Sequence, residues 1–162
     1  PTSNQVTATP RRVPDAPYVV TVTQGDKQLF VHATLFSDGG SAITAYQYSV
    51  DDGSSWHDAE PYTFSNTNVS FYIPGLTNGQ NYAVQVRARN AAGVGAGLQA
   101  SITYPFTAPS APAITSVVPD DGQLTINYTA PTSNGGAGIV RYEVSANAGQ
   151  SWIDAGDRKS VV

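Results

Sequence analysis

Cysteine is absent from the 162 residues. A disulfide scaffold, a thiolate zinc site and a cysteine nucleophile are therefore excluded together. The compartment stays open, because a cysteine-free chain survives in any redox environment. Charge is scarce too: Asp, Glu, Lys and Arg make up 12% of the chain, about half the usual share of a globular domain. Eight basic against twelve acidic residues leave a net charge of −4. Nucleic acid is not expected as a partner, since its binders need a concentrated basic surface to displace phosphate counterions. No apolar run approaches the roughly 20 residues of a membrane helix, so no membrane insertion is expected. No charged-then-apolar leader opens the chain, but Pro1 is not a natural start, and residues are expected upstream of it. The hydrophobic share, 40%, suffices for a core and is too high for a disordered chain.

Helical periodicity is also missing, and the apolar positions alternate instead. Leu29, Val31, Ala33 and Leu35 share one face, as do Tyr46, Tyr48 and Val50, then Val69, Phe71 and Ile73, then Tyr82, Val84, Val86 and Ala88. A period of two with a polar opposite face means half-buried antiparallel strands. Turn-forming clusters separate the runs: Gly25-Asp26, Asp38-Gly39-Gly40, Asp51-Asp52-Gly53, Asn78-Gly79 and Ala92-Gly93. Short strands with regular turn signals read as a sandwich or a barrel.

An internal repeat dominates the chain. Pro14-Asp15-Ala16-Pro17 recurs as Pro109-Ser110-Ala111-Pro112, and Leu29 and Val31 recur as Leu124 and Ile126. After one inserted loop residue, Gly39-Gly40 matches Gly135-Gly136, Ile43 matches Ile139 and Tyr46 matches Tyr142. Gly53-Ser54-Ser55-Trp56 then matches Gly149-Gln150-Ser151-Trp152, and Asp58-Ala59 matches Asp154-Ala155. Before the second proline cluster runs a strand-like stretch, Leu98 to Tyr104. Gln5 to Pro10 stands in the same place before the first, and reads as the last strand of a preceding repeat. The second copy stops at Ser160-Val161-Val162, where the first copy begins its Val69 to Ile73 strand.

At these residues the first repeat resembles a fibronectin type III module. The resemblance implies an all-β, immunoglobulin-like sandwich in tandem copies, with no need of a disulfide. Residues 1–16 are then the last strand and linker of one module, 17–108 a complete module, and 109–162 the first strands of another. Leu76 and Tyr82, in Gly75-Leu76-Thr77-Asn78-Gly79-Gln80-Asn81-Tyr82, resemble the tyrosine corner, whose phenol closes back on upstream backbone. Tyr46 and Tyr142 resemble the third-strand aromatic. The Gly-x-x-Trp elements ending at Trp56 and Trp152, and Ala88 to Gly93, resemble bacterial and phage versions. Those two tryptophans join the tyrosines as expected structural core residues. The family usually places Trp at the end of strand two, where this chain has Ala33 and Tyr128. Trp56, or the paired Tyr46 and Tyr48, is expected to fill the volume near Ala33.

Chemistry-bearing constellations are hard to find. His32 and His57 have no partners at metal-ligand spacing. No nucleophile elbow or Gly-rich oxyanion motif accompanies the plentiful Ser and Asp, and no glycine-rich phosphate loop is recognisable. Asp51-Asp52 and Asp120-Asp121 are each followed by Gly and read as turns, where Asp bonds local backbone, not as calcium loops. No catalytic residue, metal or cofactor is expected. Arg87, Arg89 and Phe30 fall on outward faces and form a weak candidate interaction face. The sequons Asn68-Val69-Ser70 and Asn127-Tyr128-Thr129 matter only in a eukaryotic secretory pathway.

Proline-rich linkers between sandwiches favour a string of modules with restricted swing. The expectation is a non-catalytic spacer and interaction segment of a larger bacterial cell-surface protein or phage tail or capsid protein, acting outside the cell or on a virion. The alternative is a set of accessory modules of a secreted carbohydrate-active enzyme. Partners are then a protein or glycan, neighbouring modules, or strands from another copy, because half a sandwich is too small to be stable alone.

Overall fold

The computed structural model describes residues 10–35, 37–65, 67–155 and 159–161. The strand expected over Gln5–Pro10 therefore lies, but for Pro10, outside the described residues. The chain divides into two compact units, Pro1–Pro105 and Phe106–Val162. No helix occurs among the described residues.

The first unit is built of two sheets. One contains β1 (Val19–Gly25), β2 (Gln28–Thr34), β5 (Tyr62–Ser65) and β6 (Asn68–Ile73), in the order β1-β2-β6-β5. The other contains β3 (Ile43–Ser49), β4 (His57–Asp58), β7 (Gln85–Asn90), β8 (Gly93–Val94) and β9 (Leu98–Gln99), in the order β4-β3-β7-β8, with β9 also on β7. All these pairings are antiparallel. Strand order and connections define an immunoglobulin-like β-sandwich. Of the expected Leu98 to Tyr104 strand, only β9 and a bridge between Thr103 and Tyr82 are formed.

Alternation explains why the sheets close on each other. Leu29, Val31 and Ala33 on β2 and Val69, Phe71 and Ile73 on β6 are 2% exposed or less. Val84, Val86 and Ala88 are fully buried on the opposite side, with Tyr46 among them. Each fully buried Val, Leu, Ile or Phe among them contributes about 1.5–3 kcal/mol. The ring of Tyr48 stacks on Phe71 at 5.7 Å. Phe71 and the tyrosines of β3 therefore supply the aromatic volume of this core, and Trp56 does not.

The second unit repeats the first half of this plan. In it, β10 (Ala113–Asp120) and β11 (Gln123–Thr129) form a hairpin like that of β1 and β2. Likewise β12 (Glu143–Val144) and β13 (Ile153–Asp154) pair as β3 and β4 do. The backbone of β14 (Lys159–Val161) lies beside β11, as that of β6 lies beside β2. The loops agree in detail. Arg12 N–H donates to Gly39 O at 2.9 Å, and Thr107 N–H to Gly135 O at 2.9 Å. Ala59 N–H donates to Tyr46 O at 2.8 Å, and Ala155 N–H to Tyr142 O at 2.8 Å. Pro17 and Pro112 thus follow equivalent linkers, and Trp56 and Trp152 precede equivalent strands.

Both linkers lie against a glycine turn that admits no side chain. A Cβ on Gly39 would sit 2.2 Å from Arg12 O, and one on Gly135 would sit 2.0 Å from Thr107 O. Gly75 has the same left-handed backbone (φ +76) with nothing within 4 Å. Gly75→Ala is expected to cost about 1–2 kcal/mol of backbone strain alone. Gly39→Ala adds a collision with the linker and is expected to cost about 3 kcal/mol or more. Thermal unfolding of the two variants checks the order.

Candidate functional site

The loop Gly75–Asn81 gathers three parts of the first unit. Thr77 N–H donates to the Tyr82 hydroxyl at 2.9 Å, which makes the tyrosine corner. Leu76, half-buried against the core, donates its N–H to Lys27 O at 2.9 Å. Asn78 Oδ1 accepts from Lys27 N–H at 2.8 Å, and Gly79 N–H donates to Pro105 O at 2.9 Å. The outgoing chain is thereby fastened beside the β1–β2 turn. The incoming chain is fastened at the other end of those strands. There Asn90 Nδ2 donates to Arg12 O at 2.8 Å and to Asp38 O at 2.7 Å. Arg12 and Asp15 form an ion pair on the same stretch.

The residues singled out for an interaction face occupy two different faces. Arg87 and Arg89 stand outward on β7, and Phe30 stands outward on β2. Arg87 lies over the ring of Trp56, 3.8 Å from its centroid, and its Nε donates to Gln47 Oε1 at 2.9 Å. Burial there lowers the guanidinium pKa. Gln47 in turn donates to Asp58 Oδ1 at 2.8 Å. The expectation of a core position for Trp56 is corrected by this arrangement. Its indole Nε1 donates to Gly53 O at 3.0 Å, and its ring passes Gly97, where a Cβ would meet it at 2.9 Å. Trp152 is likewise no core residue, being 59% exposed. Tyr142 is half-buried, with its ring 5.1 Å from Tyr128. Phe30 pairs with the exposed Tyr72, ring to ring at 4.9 Å.

The acidic pairs serve turns. Asp51 Oδ1 accepts from Ser49 Oγ at 2.6 Å and from Ser55 N–H at 2.9 Å, and Oδ2 accepts from Ser55 Oγ at 2.6 Å. The hydrogen bonds from Ser49 and then Ser55 hold its carboxyl at about 2. Asn147 fills the equivalent place without charge, its Oδ1 accepting from Ser151 N–H at 2.9 Å. Bonds from Asp121 N–H and Gln123 lower the Asp120 pKa. His32 is engaged with Ser70, Nδ1 to Oγ at 2.8 Å. Among the described residues no three His, Cys, Asp or Glu side chains gather closely enough to hold a metal. No described helix is long and apolar enough to cross a membrane.

One concavity of the first unit combines apolar walls with polar groups. Strand β4 covers only Gln47 and Tyr48 of β3. Ala59 N–H still reaches Tyr46 O at 2.8 Å, but ahead of it no strand pairs with that edge of β3 among the described residues, and a cleft of about 530 Å³ opens there between the sheets. Leu35, Ile43, Tyr46, Tyr62 and Phe64 form its apolar walls, and Ser37, Asp38 and Thr67 add polar groups. Tyr62 stands edge-on to Tyr46 at 5.0 Å, and Phe64 lies 5.8 Å from it. Tyr46 is 2% exposed, and its hydroxyl has no hydrogen-bond partner among the described residues. Burial, and to a lesser degree Tyr62, pushes this phenol up to about 12. Sequence reasoning missed Tyr62 and Phe64, although their alternation with Thr63 and Ser65 is a strand signal. In the second unit a cleft of about 490 Å³ lies over Ile126, Tyr128, Tyr142 and Val144.

No family model matches the chain. It is 40% identical over 90 residues to exoglucanase B of Cellulomonas fimi, an overlap of 51% of this chain and 8% of that protein. It is 29% identical over 116 residues to endoglucanase B of Cellulomonas fimi, covering 67% of this chain and 11% of that protein. The chain thus spans about a tenth of the length of these relatives. Among solved structures, the chicken CNTN1 FN1–FN3 domains align with a TM-score of 0.48 and 18% identity, over 92% of this chain and 55% of that one.

Two outcomes are expected at the loops. Tyr82→Phe removes the acceptor of Thr77 N–H and costs about 1 kcal/mol, read from denaturant unfolding. Asp51 titrates at about 2 in the folded chain, below its unfolded value of about 3.9. Its stabilising effect is therefore full above pH ~4 and is lost as pH falls towards ~2. Asp51→Asn, which keeps the acceptor as Asn147 does, is expected to flatten the melting temperature of the first unit across that window.

Proposed function

We propose that the chain is a run of fibronectin type III modules serving as a non-catalytic accessory segment of a secreted glucan-acting protein. The observation that carries this reading is the pair of glucanase relatives, each matched over about a tenth of its length. A match so short fits a module carried beside a catalytic domain. Neither relative is an adhesin or a virion component, so the accessory setting is preferred to a surface or tail setting. Polymeric glucan is too large to cross a membrane, which puts such a protein outside the cell.

The first unit suits a spacer mechanically. Its incoming chain is tied at Arg12 and its outgoing chain at Pro105, at opposite ends of the β1–β2 hairpin. Each module then adds about the length of its strands, at ~3.3 Å per residue, to the reach of the polypeptide. Glycan and protein contacts are the interactions such a spacer makes.

Excision tests this in the natural polypeptide that carries the segment. Removing residues 17–108 is expected to leave hydrolysis of soluble glucan oligosaccharides unchanged and to slow hydrolysis of insoluble glucan several-fold. Loss of activity on the soluble oligosaccharides, or glucan hydrolysis by the 162-residue chain alone, would overturn the reading.

A further inference from the structure

The inter-sheet cleft of the first unit carries an unexplained feature. A buried hydroxyl without a partner costs about 1–3 kcal/mol, and phenylalanine would fill the Tyr46 position without that cost. Tyr46 lines the cleft, behind rings of an edge strand. Tyr62 is 36% and Phe64 53% exposed, and among the described strands β5 is paired with β6 alone. Those rings can turn without breaking any sheet hydrogen bond beyond β5 itself. Ser37 and Asp38 add further polar atoms, and among the described residues no Lys or Arg lines the cleft.

We propose that this cleft binds a glucopyranose ring of a neutral glucan chain. The inference rests on the accessory reading above for the choice of glucan, and on the cleft itself for the site. A pyranose has what the lining asks for: an apolar C–H face to lie on Tyr62 or Phe64, and edge hydroxyls for Tyr46, Ser37 and Asp38. Apolar walls with few placed polar groups are the usual make-up of a small-ligand site. A phosphorylated or carboxylated ligand is disfavoured, because Asp38 is the charged group at the cleft and it is acidic. The Tyr46 hydroxyl gains its partner only when the ring is bound and Tyr62 has turned aside, so the unmet bond of the free protein favours binding.

The test uses the full 162-residue chain, with cellohexaose and maltohexaose as probes in calorimetric titration and in amide-shift mapping. One of the two hexaoses is expected to bind, with shifts centred on Ser37, Ile43 and Tyr62–Phe64. Tyr62→Ala and Phe64→Ala, at exposed positions, are each expected to weaken binding about ten-fold. Tyr46→Phe is expected to raise the melting temperature while weakening binding about five-fold. Tyr72→Ala, on the outer face of the same sheet, is expected to leave binding unchanged. Failure of both hexaoses to bind overturns the proposal. So does binding unaffected by the Tyr62, Phe64 and Tyr46 variants, or shifts centred on Phe30 and Tyr72. None of these outcomes decides the accessory reading, which stands or falls on the excision experiment.

Discussion

Everything in the first unit depends on two sheets burying their inward alternate residues against each other. Leu29, Val31, Val69, Phe71 and Ile73 from one side meet Val84, Val86, Ala88 and the β3 tyrosines from the other. With no cysteine in the chain, no covalent cross-link shares the task, and the apolar contact must offset the chain entropy. The same constraint shows in the second unit. There, of the apolar side chains, only Ile126 and Ala155 are buried among the described residues.

Around that core the loops do a different kind of work. Gly39 and Gly135 let a linker carbonyl approach to a distance that no Cβ would allow, and Asn90 spends its amide on two backbone carbonyls around that linker. At the far end, the tyrosine corner brings Gly79 to Pro105. These are hydrogen bonds to main chain, indifferent to the residues of any partner. They explain why the repeat is strongest in its turns: turn geometry demands Gly, Asn, Asp and Ser, whereas inward strand positions accept any apolar residue of suitable volume.

The same distinction decides what was legible in the sequence. Strands β2, β3, β6 and β7 show in the period of two, and the equivalence of the loops shows in their glycines. The face taken by Trp56 does not show, because it stands beyond the Asp51–Ser55 turn, where strand parity no longer applies. Its place is set by Gly97 and Arg87, residues distant in sequence whose approach only the closed sheet creates. Strand β5 escapes notice because it is four residues long and exposed throughout. With it escape Tyr62 and Phe64, and so does the cleft, which exists because β4 stops after two residues.

The cleft and the core are two consequences of one economy in strand length. A longer β4 would have continued along β3 past Tyr46 and covered the rest of that edge. A two-residue β4 instead leaves Tyr46 half a step from solvent, behind aromatic rings on an edge strand that is bonded on one side. A buried polar atom without a partner beside that cleft is better explained by something that comes to meet it than by packing, since packing alone would favour phenylalanine. The outer face supports the contrast. There Arg87 Nε is bonded to Gln47 and Gln47 to Asp58, so those polar side chains already have partners within the sheet.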